Sequence, residues 1–402
     1  GRYDLVIADE AQDMNPMRCA VLARMVGAGA QRVRTVMLVG DARGQAIYRF
    51  AGATPEVFLA YEEGAAGAGH ALALSHNFRC GSAIVEAGNR VLGVPVGVSA
   101  RSETGSVAVE DYETGFEEGA ATAEHIKGWI AAGVEPRDIA VLYRTRGASA
   151  EIQMALLEDA IPFVIRGGSG FFGRAVVQDA LAYLTAATTW DVEAIKRCSD
   201  APARYLGRAW RDALDGVAAT GAGGAELLAH RRYLPRFQRG GQNLADGLGA
   251  VAEALSAGAG DGRANRDGPA AALRAAYRLS GLKGSTFYTA GSEREQDTRK
   301  ELLETLLSVA SGFDTVPDLL AMAAAARSAE AEVRAGENPN RVVLSTAHRA
   351  KGLEWSHVCV IGMSERIWPH KRSVAEGAED EERRLAHVAV TRAKDVLVVS
   401  SR

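Results

Sequence analysis

Residues 5–13 read Leu-Val-Ile-Ala-Asp-Glu-Ala-Gln-Asp, an apolar run that ends in a cluster of acids. Such a run followed by polar residues is typical of a buried parallel strand in an α/β protein. Ligands of open α/β sheets bind beyond the carboxyl ends of the strands. Asp9 therefore suits a Mg²⁺ ion, commonly through its water shell, and Glu10 suits a proton acceptor for an attacking water. A solvated acidic patch is the alternative, which the preceding strand disfavours.

Similar apolar runs recur towards both ends of the chain. They begin at Val36, Ile139, Val342, Val358 and Val396, and helical stretches separate them. Alternation of this kind predicts an α/β layer architecture with parallel strands. Between about residues 180 and 330 the strand signals nearly vanish and leucines fall at helical spacing, which indicates a helical insertion.

The run after Val36 leads into a polar and aromatic loop. Gly40-Asp41 ends the predicted strand, and residues 45–50 read Gln-Ala-Ile-Tyr-Arg-Phe. The Gln45 amide suits a sensor of a phosphate group. Phe50 suits stacking on a nucleic-acid base, which contributes about 1–3 kcal/mol and tolerates any sequence. Tyr48, considered alone, serves equally well as an aromatic packed on a core.

Five sequence boxes, taken in order, resemble motifs II to VI of the UvrD/Rep/PcrA type of superfamily 1A DNA helicases. The similarity covers most of the chain, and several boxes in family order are far more specific than one. The boxes are DEAQD at 9–13, GD with QAIYRF at 40–50, NFR at 77–79, STAHRAKGLEW at 345–355, and EERRL with VTRAK between 381 and 394.

This resemblance implies a fold and a division into domains. It implies two RecA-like motor domains of the P-loop NTPase type, the first incomplete, with a helical subdomain inserted in the second. Residues 1–75 would be the remainder of the first motor domain, with motifs II and III. Residues 76–180 and 333–402 would form the second motor domain, and residues 181–332 the insertion.

The resemblance also assigns residues to the nucleotide. Arg79 and Arg392 correspond to arginine fingers that reach the γ-phosphate from the second motor domain. Phe78 occupies the position of the family's adenine-stacking tyrosine, and it keeps the ring without the hydroxyl. Glu354 resembles the acid near the ribose. ATP and Mg²⁺ are the implied nucleotide and cofactor.

DNA is the implied partner. Thr346 and His348 lie where the family touches the DNA backbone, and Tyr48 and Phe50 join them as predicted DNA-binding residues; a structural role is the alternative for a histidine such as His348 taken alone. Single-stranded DNA and duplex junctions are the expected substrates. The basic and aromatic run at 231–239 is either a contact to duplex phosphates or a solvated helical face.

The implied reaction is ATP hydrolysis coupled to translocation on single-stranded DNA and to duplex unwinding, with 3′→5′ polarity, in repair or replication. Two alternatives remain open. One is the motor part of a helicase-nuclease complex, and the other is a catalytically incomplete DNA-binding module derived from a helicase. The second is favoured by the absence of a G-x-x-x-x-G-K-[ST] loop from the sequence.

That absence and the start of the sequence lead to one expectation. The chain begins without Met inside a strand-like segment, which predicts a fragment. We expect an amino-terminal motor segment, on the same or a separate polypeptide, to supply the phosphate-binding loop. The isolated chain is then expected to be inactive.

Three positions depart from the family pattern. Ala51 stands where an arginine is usual, residues 41–45 are one residue longer than usual, and His387 replaces a tyrosine. The first two predict that ATP hydrolysis is coupled to DNA more weakly, or by different contacts. The sequence offers no interpretation of His387.

The composition agrees with this reading without adding to it. The net charge of −4 argues against a polycation that coats nucleic acid, so DNA contacts must be local. The four cysteines form no C-x-x-C pair, which predicts neither a zinc site nor a disulfide framework, and a cytoplasmic location is expected. No run is long and apolar enough for a membrane span, so no membrane partner is expected.

Overall fold

A computed structural model describes residues 3–26, 35–62, 70–167, 169–202, 204, 206–219, 238–259, 268–280, 282, 291–334 and 340–402. The chain divides into two compact units. Unit 1 comprises residues 1–145, 161–167 and 339–402, and unit 2 comprises residues 146–160 and 168–338. The four segments predicted from the sequence divide the chain differently, and they remain a prediction. Apart from the backbone of residues 238 and 239, the basic run at 231–239 lies outside the described residues.

The strands all belong to unit 1, as far as the structure describes the chain. They are β1 (Leu5–Ala8), β2 (Thr35–Leu38), β3 (His76–Asn77), β4 (Val98–Ser99), β5 (Ser106–Asp111), β6 (Ile139–Tyr143), β7 (Phe163–Ile165), β8 (Val342–Thr346), β9 (Trp355–Val360) and β10 (Ala393–Ser401).

The helices are α1 (Pro16–Val26), α2 (Pro55–Glu62), α3 (Ser82–Leu92), α4 (Gly115–Ala131), α5 (Ala150–Glu158), α6 (Ala175–Thr189), α7 (Val192–Asp200), α8 (Arg208–Ala218), α9 (Gln238–Ala259), α10 (Gly268–Leu279), α11 (Glu293–Ala310), α12 (Val316–Arg334), α13 (Ala347–Ala350), α14 (Lys371–Ala375) and α15 (Glu379–Val390).

A six-stranded parallel sheet forms the centre of unit 1. Its order is β5-β10-β9-β6-β8-β7, and β1 and β2 form a separate parallel pair. Strand β6, one of the two central strands, is buried at every residue, as a strand covered on both faces must be. All six apolar runs predicted as strands are confirmed. The α/β class with parallel strands is confirmed with them.

The core of unit 1 extends from the sheet to the loop after β2. Ile47 of that loop is fully buried with Ile84 of α3, Trp355 of β9 and Leu385 of α15. The buried Ile47 side chain therefore anchors the polar loop on which Gln45 and Tyr48 lie.

Helix α4 begins where the Thr114 side chain accepts a hydrogen bond from the Glu117 backbone amide, an N-cap arrangement.

Unit 2 is helical. Every regular element that the structure describes between residues 169 and 334 is a helix, as the sequence predicts. Helix α6 is buried along most of its length, and the Tyr183 hydroxyl donates to the Cys198 and Ala201 carbonyls at 3.2 and 2.9 Å. Helix α11 starts with a capping box between Ser292 and Glu295. None of the helices in the described part of the chain is both long and apolar enough to cross a lipid bilayer.

Candidate functional site

The acidic turn, residues 9–13, follows β1 and has a constrained backbone. Glu10 adopts a left-handed conformation, with φ 49° and ψ 40°. A residue with a side chain is disfavoured there by roughly 1–2 kcal/mol. The buried Gln12 side chain donates to Glu10 Oε2 at 2.6 Å and accepts from the Asp41 backbone amide at 3.0 Å. Gln12 therefore fixes the Glu10 carboxylate relative to the end of β2.

Asp9 and Asp13 supply the other carboxylates of the acidic turn. Asp9 is exposed, and its Oδ1 accepts from the Glu10 amide at 2.8 Å. Asp13 Oδ1 is buried and has no hydrogen-bond partner. No group of three or more His, Cys, Asp or Glu residues in the described ranges is arranged to enclose a metal ion. The turn suits Mg²⁺, since this ion takes oxygen ligands and usually keeps several waters. Asp9, which the sequence predicts as its ligand, has an exposed carboxylate.

Lys351, in the turn after α13, links the acidic turn to the loop after β2. Its ammonium lies 2.6 Å from Asp13 Oδ2, 3.2 Å from Glu10 Oε2 and 2.9 Å from the Gln45 carbonyl. The Lys351 side chain is only 7% exposed. Burial raises the pKa of Asp13, while the hydrogen bond from Lys351 opposes that rise. Removing one member of such a buried pair typically costs about 3–5 kcal/mol.

The loop of residues 41–46, the Gln45 loop, is a tight turn organised by Asp41. Asp41 Oδ1 accepts from the backbone amides of Arg43 and Gly44 at 3.1 and 2.8 Å. The backbone amide of Gln45 donates to the Asp41 carbonyl at 3.0 Å. Side chain to backbone bonds of this type are the reason that aspartate favours turns. These three hydrogen bonds hold the stretch that the sequence comparison with the family pattern predicts to be one residue longer than usual.

Arg79 and Glu354, two of the residues predicted to contact the nucleotide, form an ion pair. Arg79 Nε lies 2.6 Å from Glu354 Oε2, and Lys394 Nζ lies 2.8 Å from Glu354 Oε1. Hydrogen bonds from Lys394 and Arg79 lower the pKa of Glu354. The Asn77 side chain accepts from the backbone amides of Arg79 and Cys80, both at 2.9 Å, and so sets the position of Arg79.

Arg392 is buried, in contrast to Arg79. It is 2% exposed, and it donates to the Val388 carbonyl at 2.8 Å and to the Leu353 carbonyl at 3.1 Å. Burial, followed by the charge of Arg79, lowers the pKa of Arg392 to about 10. The guanidinium therefore remains charged at neutral pH, which a role at a phosphate requires. Two guanidinium groups close enough for the charge of one to act on the other suit an anionic ligand.

Phe78 lies beside Arg79 in sequence, and 79% of its surface is exposed. Its nearest ring is that of His76, with 6.5 Å between centroids. An aromatic ring this exposed is available for stacking, and it contributes little to the packing of the protein.

Three of the predicted DNA-binding residues, Tyr48, Phe50 and His348, form one group, the aromatic cluster. The rings of Phe50 and His348 meet edge to face at 5.3 Å, and those of Tyr48 and Phe50 lie 6.0 Å apart. The Tyr48 hydroxyl donates to the His348 carbonyl at 3.0 Å. Phe50 is 52% exposed. The fourth residue, Thr346, ends β8 and precedes the short helix α13 that carries His348.

The aromatic cluster and the acidic turn share Lys351. Its ammonium lies 5.3 Å from the centroid of the Tyr48 ring, within cation–π range, while it also bonds Asp13. Sequence reasoning did not single out Lys351, although a lysine followed by glycine stands inside the quoted box at 345–355. The sequence also did not identify Gln12 and Asn77 as supporting residues, because the groups to which their side chains bond become evident only in the fold.

Two family models match the chain. The model described as UvrD/REP helicase N-terminal domain matches residues 1–66. The model described as UvrD-like helicase C-terminal domain matches residues 72–222 and 263–402.

Curated relatives match along nearly the whole chain. DNA helicase II of Escherichia coli is 28% identical, over 99% of this chain and 56% of the relative. The ATP-dependent DNA helicase PcrA of Bacillus subtilis is 28% identical over 100% of this chain and 55% of the relative. The ATP-dependent DNA helicase UvrD1 of Mycobacterium tuberculosis is 29% identical over 99% and 55%. The chain thus spans about half the length of these relatives, and with these matches along both parts of its sequence it belongs to the UvrD-like helicase family.

Proposed function

We propose that this chain is part of an ATP-dependent DNA helicase that couples ATP hydrolysis to translocation on single-stranded DNA and to unwinding at duplex junctions. The observation that carries the proposal is the position of Lys351. One buried ammonium contacts Asp13 of the acidic turn, the Gln45 carbonyl and the Tyr48 ring. Groups suited to phosphate chemistry and groups suited to DNA are therefore joined by a single side chain.

The proposed nucleotide site uses seven side chains. Asp9 holds Mg²⁺, which neutralises phosphate charge when bound. Glu10 accepts the proton of the attacking water, and Gln45 contacts the γ-phosphate. Arg79 and Arg392 stabilise charge on the transferred phosphoryl group. Phe78 stacks on adenine, and Glu354 lies near the ribose.

The proposed DNA track is the aromatic cluster together with Thr346. The exposed Phe50 ring offers a face to a base, since base–aromatic stacking tolerates any sequence. A 3′→5′ polarity, and a role in repair or replication within the cytoplasm, are parts of the same proposal, and they are supported by family membership alone.

The proposed architecture is a pair of RecA-like motor domains with a helical insertion. Residues 1–75 would contribute to the first motor domain, residues 76–180 and 333–402 would form the second, and residues 181–332 would form the insertion. Support comes from the parallel sheet of unit 1, from the helices of unit 2 and from the two family models.

A further motor segment is proposed to pack on β1 and β2 and to supply the phosphate-binding loop. The support is an apolar surface on this strand pair. Leu5, Ile7, Val36 and Met37 are all exposed, although strands of a parallel sheet are normally covered on both faces.

The second candidate function is a DNA-binding module without turnover, favoured by the absence of the G-x-x-x-x-G-K-[ST] loop. The retained arrangement of Glu10, Gln12 and Lys351 favours the helicase, because two contacts, from the buried Gln12 and Lys351 side chains, orient the Glu10 carboxylate.

Glu10→Gln tests the proposal in the chain joined to an amino-terminal segment that carries a phosphate-binding loop. Nucleotide binding is expected to persist, while steady-state ATP hydrolysis falls by at least about a hundredfold, because the proton acceptor is lost and Asp9 remains. Glu124→Gln, which alters an exposed carboxylate of α4, is the matched control. Equal hydrolysis by the wild type and Glu10→Gln would remove Glu10 as the base. Absence of hydrolysis from the completed wild type would favour the binding module.

A further inference from the structure

The backbone of the Gln45 loop is held by side chains from later in the sequence. Three consecutive carbonyls each accept one hydrogen bond, and each bond comes from a different side chain. The bonds are His387 Nδ1 to Gly44 at 3.1 Å, Lys351 Nζ to Gln45 at 2.9 Å, and Arg384 Nε to Ala46 at 2.8 Å. We refer to His387, Lys351 and Arg384 as the backbone clamp.

His387 is the most buried of the three residues of the backbone clamp. It is 95% buried, since only 5% of its surface is exposed. A Cβ on Gly44 would lie 3.0 Å from its Cε1, and a Cβ on Gly88 of α3 would lie 3.1 Å from its Cδ2. The imidazole is therefore held between two glycines. A side chain at either position would crowd the ring.

The protonation of His387 follows from its partner. A carbonyl oxygen only accepts, so Nδ1 carries a proton. Burial lowers the pKa of His387, with the charge of Arg392 acting in the same direction, while the Gly44 carbonyl and Asp41 act against it. The ring therefore donates to Gly44 as a neutral Nδ1–H tautomer at neutral pH.

The bond from His387 joins two groups that the proposed function places at the γ-phosphate. On one side Gly44 precedes Gln45, whose backbone amide donates a hydrogen bond to the Asp41 carbonyl. On the other side His387 precedes Val388, whose carbonyl accepts from Arg392 Nε at 2.8 Å. A displacement of His387 would therefore change the separation between Gln45 and Arg392.

We propose that His387 is a positioning residue for Gln45: its hydrogen bond to the Gly44 carbonyl fixes the lengthened Gln45 loop against α15, so that Gln45 and Arg392 face the same phosphate. This inference rests on the proposed function. It also accounts for two departures from the family pattern at once, because the lengthened loop and the histidine contact each other at Gly44. A tyrosine hydroxyl, at the far end of its ring, would not reach Gly44 in the way that Nδ1 does beside the ring attachment.

The test uses the chain joined to its amino-terminal segment and compares three substitutions at one position. His387→Asn keeps a donor at nearly the reach of Nδ1, His387→Leu keeps similar volume without a donor, and His387→Tyr introduces the usual family residue. The leucine and tyrosine variants are expected to lower kcat about tenfold with KM for ATP nearly unchanged. The asparagine variant is expected to stay within about threefold of the wild type.

A readout independent of ATP turnover accompanies the kinetics. Hydrogen exchange of the backbone amides at residues 43–46 is expected to speed up in His387→Leu and to remain slow in His387→Asn. Slow exchange in the leucine variant would overturn the proposed anchoring. Should leucine and asparagine lower kcat equally and lower the unfolding midpoint equally, His387 would be a structural residue, and the inference would be wrong.

A compensating change separates this inference from the proposed function. Deleting Arg43 shortens the Gln45 loop to the usual family length, so His387→Tyr combined with this deletion is expected to be more active than either change alone. Additive losses would refute the pairing of loop length with His387. If the completed wild type hydrolyses no ATP, the proposed function fails, and hydrogen exchange still decides whether His387 anchors the loop.

Discussion

Arg79 and Arg392 hold the same charge in different ways. Arg79 is one-third exposed and pairs with Glu354, whereas Arg392 is buried and bonds two backbone carbonyls. Replacing Arg392 therefore removes packing as well as charge. Arg79 is the better residue for measuring what a guanidinium contributes at the phosphate.

Arg79→Ala is expected to lower the ATPase rate of the completed enzyme by at least roughly a hundredfold, because a charge facing the γ-phosphate acts on the transition state. Single-stranded DNA binding without nucleotide is expected to remain nearly unchanged. Arg90→Ala, at an exposed arginine of α3 paired with Glu86, is the control and should match the wild type. An equal loss of DNA affinity and turnover would show that Arg79 does not belong to a separate nucleotide site.

Phe50 and Phe78 are both exposed aromatic residues, and they are expected to give opposite results. Phe50→Ala should weaken DNA-stimulated hydrolysis and unwinding about tenfold or more, with little effect on basal hydrolysis, because it removes a stacking surface for bases. Phe78→Ala should raise KM for ATP and leave DNA affinity unchanged. Each variant is the control for the other. Unwinding by Phe50→Ala at the wild-type rate would exclude the aromatic cluster as the DNA track.

Much of the site could be predicted from sequence because its residues stand in recognisable local patterns. Phe50 and His348 are far apart in sequence, yet each lies in a box whose neighbours indicate its role. Lys351 and His387 were different. Their significance comes from partners such as Asp13 and Gly44, more than 300 residues away along the chain, and no local pattern identifies such partners.

Elements of unit 1 depend on glycine where the chain passes close to a neighbour. Gly81 caps α3, and a Cβ there would lie 2.5 Å from the Thr104 carbonyl oxygen, which is backbone and cannot easily move. At Gly128, an exposed position of α4, an added Cβ would lie in open space. The two positions form a matched pair for the same substitution.

Gly81→Ala is expected to lower the free energy of unfolding by about 1–3 kcal/mol, through overpacking against the Thr104 backbone. Gly128→Ala should raise it by about 0.5–1 kcal/mol, because alanine is favoured over glycine in a helix interior. Urea denaturation followed by circular dichroism measures both changes. A Gly81→Ala protein as stable as the wild type would mean that α3 and the loop before β5 do not pack as described.

Strand prediction succeeded where a strand contains a continuous apolar run preceded or followed by polar residues, and it failed where polar residues make up half of the strand or the strand is very short. Buried β6 and β8 are continuous apolar runs, so the sequence indicates them directly. Edge strand β5 reads Ser-Val-Ala-Val-Glu-Asp with mixed exposure, and β7 has only three residues. Strand β5 lies at one edge of the sheet and β7 at the other, so each has a neighbouring strand on one side only. Their pairing with β10 and β8 depends on the tertiary fold, which the local sequence does not indicate.

At the scale of the whole molecule, residues 1–402 alone are expected to show little DNA-stimulated ATPase, below about 1 s⁻¹, because the sequence has no G-x-x-x-x-G-K-[ST] loop to cradle the phosphates. Joining an amino-terminal segment with such a loop should restore turnover. The same fusion with the loop lysine replaced by alanine is the control. Turnover above that limit by residues 1–402 would contradict the proposed nucleotide site.

The two compact units also show where sequence reasoning reaches its limit. Loss of strand signals after about residue 180 indicated a helical region, and the described helices confirm it. The assignment of α5, at residues 150–158, to the helical unit was not foreseen, because this helix is separated from the rest of unit 2 by β7. Such a crossing of the chain between units leaves no mark in composition.

The left-handed backbone of Glu10 affects which residues selection would favour at position 10. A glycine at position 10 would relieve a backbone cost of roughly 1–2 kcal/mol, and it would also remove the carboxylate that Gln12 and Lys351 contact. The relief of strain and the loss of these contacts act in opposite directions on stability. Laboratory evolution for heat resistance alone should therefore enrich glycine at this position only if the backbone strain is the larger of the two, whereas selection for turnover should retain glutamate in either case.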